Sequence, residues 1–167
     1  MGHRLPLLIA LAVAGDACGV PETPVASASE RVPAVALETL SGERTEVARL
    51  AGGRVALVSL WATWCDACVR EMDALNRLDA KTASGREAVV IAVDVGEERG
   101  KVAEFAHQRG LRYAQLVDRD FAFADALGQR RVPATLVVDR RGRIVYRGDA
   151  LDAKSLDALR DAVAAAP

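Results

Sequence analysis

The chain has 167 residues, of which 51% are hydrophobic and 27% are charged. This composition is typical of one globular domain that buries its own core, and it excludes an intrinsically disordered chain. With 22 basic and 23 acidic residues the formal net charge is −1, which argues against nucleic-acid binding through bulk positive charge. The three cysteines, Cys18, Cys65 and Cys68, are too few for a disulfide scaffold. With only two histidines beside them, we predict no structural zinc site.

The first 17 residues have the plan of a secretory signal peptide. Arg4 provides a positive start, Leu5 to Ala14 is an apolar run too short to span a bilayer, and small residues follow. A buried helix of the domain is the alternative interpretation of this run. We expect export, which places the mature protein outside the cytoplasm, where disulfides persist.

Two alternative cleavage sites follow this apolar run. Cleavage at the A-x-A pattern over 12–14 would leave Cys18 as a free thiol near the new N-terminus. The letters GDAC at 15–18 instead resemble part of a bacterial lipoprotein signal, with Cys18 as the lipid anchor. We favour the lipid anchor because an exposed free thiol is otherwise a liability.

The chain from 18 to 33 is rich in proline, serine, alanine and glutamate, and we predict a flexible linker there. An ordinary disordered N-terminal tail is the alternative and fits this composition equally well. The folded domain is expected over 34–167, where strand-like and helix-like patterns alternate. In chain order the predicted elements are strands over Val35–Leu40, Arg44–Val47 and Val55–Trp61, a helix over Cys65–Ala83, a strand over Ala88–Val95, a helix over Glu97–Arg109, a strand over Tyr113–Val117, a helix over Phe121–Leu127, strands over Val132–Val138 and Ile144–Arg147, and a helix over Asp152–Ala166. This order predicts an α/β sandwich around a mixed sheet.

The segment WATWCDAC over 61–68 lies where a buried strand ends and a helix begins. Two cysteines three positions apart in the first helical turn can close a small disulfide ring. Cys65 lies near the helix N-terminus, where unpaired N–H groups and the macrodipole stabilise a thiolate, the species that attacks disulfides. Cys68 lies on the inner side of the helix and can attack the resulting mixed disulfide. The same spacing also serves as half of a metal site, but the sequence holds no second half.

These motifs resemble a known family. W-x-x-W-C-x-x-C after a buried strand resembles the thioredoxin fold, and WATWC-x-x-C-x-x-E within it resembles the TlpA/ResA-like group of extracytoplasmic thiol–disulfide oxidoreductases. Ile91–Glu98, the V-P-A-T loop at 132–135 and the terminal hairpin VVDRRGRIVYR are similar to that group as well. The resemblance runs from about Val35 to the C-terminus. It implies a thioredoxin-like three-layer sandwich, with a central mixed β-sheet, helices on both faces and an extra N-terminal β-hairpin.

The resemblance also assigns roles to single residues. It implies that Cys65 is the attacking thiol and Cys68 the resolving thiol, so that a redox-active disulfide serves the reaction without another cofactor. Glu71, one helical turn beyond Cys68, is by the same resemblance the acid–base residue, and a solvent-exposed helix charge is the alternative. Thioredoxin carries a buried aspartate on the preceding strand, and here that position is Ser59, which cannot titrate.

Three further residues are expected around the cysteines. We expect the Val132–Pro133 bond to be cis and to expose the Val132 backbone to a substrate chain, with a trans strand-edge proline as the alternative. Trp64 is expected to offer an apolar contact surface to the substrate. Asp94 and Glu97 are candidates for the same rim, with plain loop charges as the alternative, and we assign them no role.

Two positions depart from the family pattern. Ala67 stands where a proline is usual before the second cysteine, and Asp66 adds a negative charge beside the thiolate. Because that charge disfavours the thiolate relative to the disulfide, we expect a low reduction potential. Asp73 stands where the family often has a helix-kinking proline, so the helix is expected to run straighter.

The sequence thus predicts a disulfide reductase of the bacterial cell envelope, periplasmic or lipid-anchored, and monomeric. Its expected clients are exported proteins with oxidised cysteine pairs, among which the resemblance suggests apocytochrome c, and its expected electron source is a membrane thiol donor. A thiol peroxidase of related fold would need T-x-x-C, whereas Thr63 lies only two residues before Cys65. A copper chaperone would need C-x-x-x-C and a partner histidine. A non-catalytic binding lipoprotein would not need the cysteines.

Overall fold

The structure, a computed structural model, describes residues 30–85, 87–129 and 131–165. The predicted signal segment 1–17, the predicted anchor Cys18 and the linker as far as residue 29 lie outside the described residues. Among the helices that are described, none combines the length and the apolar character needed to cross a membrane.

Strands and helices alternate through most of the described chain. The strands are β1 (Leu37–Thr39), β2 (Arg44–Thr45), β3 (Val55–Trp61), β4 (Ala88–Val95), β5 (Ala114–Asp118), β6 (Ala134–Val138) and β7 (Ile144–Gly148). The helices are α1 (Val47–Ala51), α2 (Asp66–Gly85), α3 (Arg99–Gln108), α4 (Ala122–Ala126) and α5 (Ala153–Ala164).

The strands form one mixed sheet in the order β2-β1-β5-β4-β3-β6-β7. The three central strands β5, β4 and β3 run parallel, while β1 and β6 pair antiparallel with their outer sides. The central strands β3 and β4 are nearly continuous apolar runs, because helices cover both of their faces. The β1–β2 pair is the predicted N-terminal hairpin.

Side-chain alternation divides the core into two layers. Leu57 and Val90 face α2, α3 and α5, whereas Val58 and Ile91 face α1 and α4. The predicted three-layer sandwich, with a mixed sheet, helices on both faces and an N-terminal hairpin, is therefore confirmed.

The segment after β2 differs from the prediction. The sequence predicts that Val47 ends a strand, but Val47 is the first residue of α1, a short helix that the sequence pattern does not indicate. Val47 and Ala51 lie four residues apart and are both buried, so they form the inward face of this helix. Gly52, with a left-handed φ of 59°, ends it.

The fold also begins earlier than predicted. Residues 30–32 were assigned to the linker, yet the Val32 N–H donates to the Gly142 carbonyl at 2.9 Å and the Val32 side chain is buried. Arg31 forms a β-bridge with Arg143, and Glu30 forms an ion pair with Arg147. These residues add a short third segment beside the β6–β7 hairpin.

Three chain segments meet at one edge of the sheet. The parallel strands β3 and β4 both end there, with Trp61 opposite Asp94. The antiparallel strand β6 begins there, because Leu60 pairs with Ala134. The loop before β6, the loop after β4 and the start of α2 are therefore neighbours, at the edge where parallel sheets place their functional sites.

Candidate active site

Cys65 and Cys68 form a disulfide, with a Cα–Cα distance of 5.3 Å. Cys65 directly precedes α2, and its carbonyl accepts the Val69 N–H at 3.0 Å. The Cys65 Sγ accepts the N–H of Cys68 at 3.2 Å. The sulfur thus takes the place that a side-chain oxygen has at an N-cap. In the reduced protein the same N–H and the dipole of α2 stabilise a thiolate at Cys65.

Trp64 marks the open side of this disulfide. Both cysteines are buried, whereas the Trp64 side chain is 67% exposed. Trp61 is buried and packs with Phe105 at a ring-centroid distance of 5.6 Å, as expected for a core residue. A partner that reaches Cys65 from solvent therefore meets Trp64.

A groove of about 590 Å³ begins at Trp64. Apolar and polar residues line it together: Trp64, Val95, Phe121 and Val132, with Asp120, Asp125, Gln129 and Arg131. Phe121 is half exposed and has a left-handed φ of 60°, which is unusual for a residue with a side chain. Its ring lies on Gly96, where an added Cβ would be 2.3 Å from the Phe121 Cζ. Gly96 is therefore required for this ring position.

The Val132–Pro133 peptide bond is cis, as predicted. Val132 lines the groove and also packs against the apolar cluster that contains both cysteines. Strand β6 starts only at Ala134, two residues later than expected, because a proline has no N–H to give to the ladder. The Val132 backbone thus lies outside the sheet, beside the groove.

Glu71 lies on α2 and faces the turn before α5. Its Oε1 accepts the Leu151 N–H at 3.1 Å, and its Oε2 is buried with no hydrogen-bond partner among the described residues. Burial raises the pKa of Glu71, the Leu151 N–H lowers it and Asp152 raises it, so that the net shift is upward. The alternative of a solvent-exposed helix charge does not describe this side chain. A partly buried carboxyl with one unengaged oxygen is suited to exchange a proton.

Asp94 and Glu97 are buried, so the alternative that they are plain loop charges is wrong. Neither carboxyl oxygen of Asp94 receives a hydrogen bond from the described residues. Burial, together with the nearby Glu97 carboxylate, raises the pKa of Asp94 to about 8. The signal in the sequence was the single charge inside the apolar run AVVIAVDV, because an unpaired carboxylate is costly in a core.

Glu97 connects this buried acid to the cysteine turn. Its carboxylate accepts the Thr63 N–H at 2.6 Å and the Thr63 hydroxyl at 2.7 Å, and it pairs with Lys101. Burial raises the pKa of Glu97, but the hydrogen bonds from Lys101 and Thr63 outweigh burial and hold the pKa at about 2. Because Thr63 is two residues before Cys65, Glu97 fastens the turn that presents the disulfide.

Together these features define a class of protein. The protein has a mixed sheet between helical layers, a C-x-x-C disulfide at the start of the helix after the central strand, and a cis-proline loop beside it. These features define a thioredoxin-like thiol–disulfide oxidoreductase. The chain belongs to the Redoxin family, which matches residues 27–162, and within it to the ResA-like thiol–disulfide oxidoreductases.

Individual relatives agree with this assignment. The thiol-disulfide oxidoreductase ResA of Halalkalibacterium halodurans is 32% identical over 121 residues, which are 72% of this chain and 68% of the relative. The thiol:disulfide interchange protein DsbE of Yersinia pestis is 33% identical over 119 residues, or 70% of this chain and 61% of the relative. The curated relatives are matched over 52% to 68% of their length.

A solved structure shows the same fold. The crystal structure of a putative thiol:disulfide interchange protein DsbE from Chlorobium tepidum superposes with a TM-score of 0.69. The superposition covers 80% of this chain and 93% of that chain, at 21% sequence identity.

Proposed function

We propose that this protein is a disulfide reductase of the bacterial cell envelope that acts on exported proteins through Cys65 and Cys68. The observation that carries the proposal is the position of the disulfide: it lies at the N-terminus of α2, directly after Trp64, which lines the groove of about 590 Å³. The signal-like segment 1–17 supports a location outside the cytoplasm.

The reaction we propose has two exchange steps. The Cys65 thiolate attacks one sulfur of a client disulfide, which forms a Cys65–client disulfide and releases the first client thiolate. Cys68 then gives up its proton and attacks the Cys65 Sγ. This step restores the Cys65–Cys68 disulfide and releases the second client thiolate. Two electrons have passed from the protein to the client, and the client thiolates take protons from solvent.

Glu71 is the group that we assign to the Cys68 proton. Its ionised carboxylate accepts the proton when Cys68 becomes a nucleophile, and it returns the proton when the disulfide is reduced again. Three features support this role: its place one helical turn beyond Cys68, its partial burial and its unengaged Oε2. Ser59 cannot titrate at its strand position, which leaves more of this role to Glu71.

The groove is the surface that we assign to the client. Trp64 and Phe121 supply exposed apolar area, and Val132 supplies a backbone segment outside the sheet. An extended client chain can pair with such a backbone segment while its side chains contact the aromatic rings. Asp120, Asp125 and Arg131 give the groove a mixed charge, so apolar contact dominates recognition.

The dithiol must be regenerated, and we propose a membrane thiol donor for this step. A lipid at Cys18 would hold the domain near such a donor, with the segment up to residue 29 as a tether. Apocytochrome c is the client class that we propose first, because the family resemblance includes it.

Trapping in the native envelope tests this function. The Cys68→Ala variant lacks the resolving thiol, so we expect it to accumulate mixed disulfides through Cys65, which identify the clients after reduction. The double variant Cys65→Ser, Cys68→Ala is the matched control and should trap nothing. A Cys68→Ala variant that forms no more adducts than this control would contradict the proposed function.

A further inference from the structure

The buried carboxyls Asp94 and Glu97 have no place in the exchange steps described above. Asp94 lies one residue before the end of β4, on the sheet face that also carries Trp61 and the two cysteines, as the alternation along the strand requires. Its side chain is fully buried, its oxygens make no hydrogen bond of ordinary geometry with the described residues, and Glu97 acts on its charge through both its backbone N–H and its carboxylate. Burial of an ionised carboxylate without a partner costs several kcal/mol, so the protonated form of Asp94 is favoured.

The groups that face Asp94 are few. Glu97 follows it on the loop after β4, and Lys101 on α3 forms an ion pair with Glu97. The neighbouring strands present Trp61 and Val117 at the same level of the sheet. The cysteine pair at the start of α2 titrates only when it is reduced. One lysine can balance one carboxylate, so the pair is neutralised only while Asp94 keeps its proton.

The Glu97 carboxylate already binds the turn around Thr63 that precedes Cys65. It accepts both the N–H and the hydroxyl of Thr63, and the Cys65 N–H closes the same turn on the Ala62 carbonyl at 3.1 Å. A second negative charge at Asp94 would repel Glu97 and weaken its hold on Thr63. The position of Cys65 therefore depends on the charge of Asp94, which is distant from Cys65 in the sequence.

We propose that Asp94 and Glu97 are positioning residues for thiol–disulfide exchange: Asp94 keeps its proton and Glu97 its charge, and together they hold the Thr63 turn and Cys65 in their reactive arrangement. This inference rests on the proposed function in one respect, the identification of Cys65 as the attacking thiol. When pH rises and Asp94 releases its proton to solvent, the turn loosens and the second charge disfavours the Cys65 thiolate. Reactivity of Cys65 thus depends on two protons, its own and that of Asp94.

Alkylation of the reduced protein by iodoacetamide tests this dependence, because the reagent needs neither a client nor a donor. For the wild type we expect the alkylation rate of Cys65 to follow a pH profile that a single ionisation cannot fit. For Asp94→Asn, which mimics the protonated acid, we expect this departure to be lost. The matched control is Asp118→Asn, because Asp118 is also buried but caps α4 through the Phe123 and Ala124 N–H groups, on the opposite sheet face. It should keep the wild-type profile.

A second measurement needs no variant of Asp94. Carbon NMR of the carboxyl groups in the oxidised protein, in which the cysteines do not titrate, should show Asp94 with a pKa near 8. The Glu97→Gln variant should lower that pKa. An Asp94 that titrates near the ordinary value of about 3.9, or an Asp94→Asn variant that keeps the wild-type alkylation profile, would overturn the inference.

The outcomes separate this inference from the proposed function. If Asp94→Asn leaves the alkylation profile unchanged while Cys68→Ala still traps clients, the positioning role is wrong and the reductase stands. If the profile changes as expected while no client is trapped, the positioning role stands and the reductase is wrong.

Discussion

The Oε1 atom of Glu71 accepts a hydrogen bond from the Leu151 N–H, so the acid of the active-site helix is fastened to the turn that begins the last helix. The next residue, Asp152, caps α5 by accepting the Ser155 N–H at 2.9 Å. The cap therefore places a second carboxylate beside Glu71. This charge disfavours ionisation of Glu71 and adds to the effect of burial on its pKa.

Asp152→Asn tests that coupling. Asparagine is as good a helix cap as aspartate, so the variant should fold normally while it removes a negative charge near Glu71. The pKa of Glu71 should fall, and the pH dependence of the Cys68 attack should move to lower pH in stopped-flow measurements. Asp157→Asn, which removes an exposed charge of the same helix, is the control. A shift to higher pH in Asp152→Asn would contradict the coupling.

Glu71→Gln tests the proton-transfer role directly. The amide oxygen can still accept the Leu151 N–H, so the local structure should persist, but the side chain no longer exchanges a proton. We expect the Cys68 attack to slow by ~100-fold at neutral pH, the lower end of the range for general acid–base catalysis. Formation of the mixed disulfide by Cys65 should change little. If both steps keep their wild-type rates, Glu71 has no role in proton transfer.

Phe121→Ala tests the client groove. Removal of the ring that rests on Gly96 should raise the KM for a protein disulfide by about tenfold, which corresponds to ~1.4 kcal/mol of binding. The reaction with a small aromatic disulfide reagent should not change, because it does not use the groove. Val145→Ala is the matched control, since Val145 is an exposed apolar residue on β7 that is absent from the groove lining. An equal loss with both substrates would mean that Phe121 supports the fold instead.

Asp94→Asn also has a consequence for stability. The folded pKa of Asp94, about 8, exceeds the ordinary value of about 3.9, so the folded state holds a proton that the unfolded state loses. Stability therefore falls as pH rises through this window. At about pH 9 we expect the free energy of unfolding of the variant to exceed that of the wild type by at least ~1.4 kcal/mol, which corresponds to one pKa unit. The gain should shrink at about pH 5. Denaturant titrations at both values measure it, and a destabilised variant at high pH would count against the assignment.

The central strands could be predicted to the residue, and the reason is physical. Val55–Trp61 and Ala88–Val95 are buried on both faces, so each is a nearly continuous apolar run with a clear start and end. The sequence does not reveal the helix α1 because it has only a little more than one turn, and because its first buried residue, Val47, also fits the end of a strand.

The candidate site divides in the same way. Cys65, Cys68 and the cis bond at Pro133 are local in the sequence, so their pattern is visible there. Asp94 and Phe121 act through contacts that only the fold creates. The burial of Asp94 and the position of the Phe121 ring on Gly96 depend on which loops are neighbours at the sheet edge. No local sequence pattern specifies these neighbours.

The reduction potential of the Cys65–Cys68 pair tests the central claim most directly. The N-terminus of α2 favours the Cys65 thiolate, while the negative charge of Asp66 in the first helical turn opposes it. We expect the opposing charge to keep the disulfide stable, with a potential near that of thioredoxin at about −270 mV, as measured by equilibration with dithiol and glutathione couples. A value near about −120 mV, typical of a disulfide-forming oxidase, would contradict a reductase.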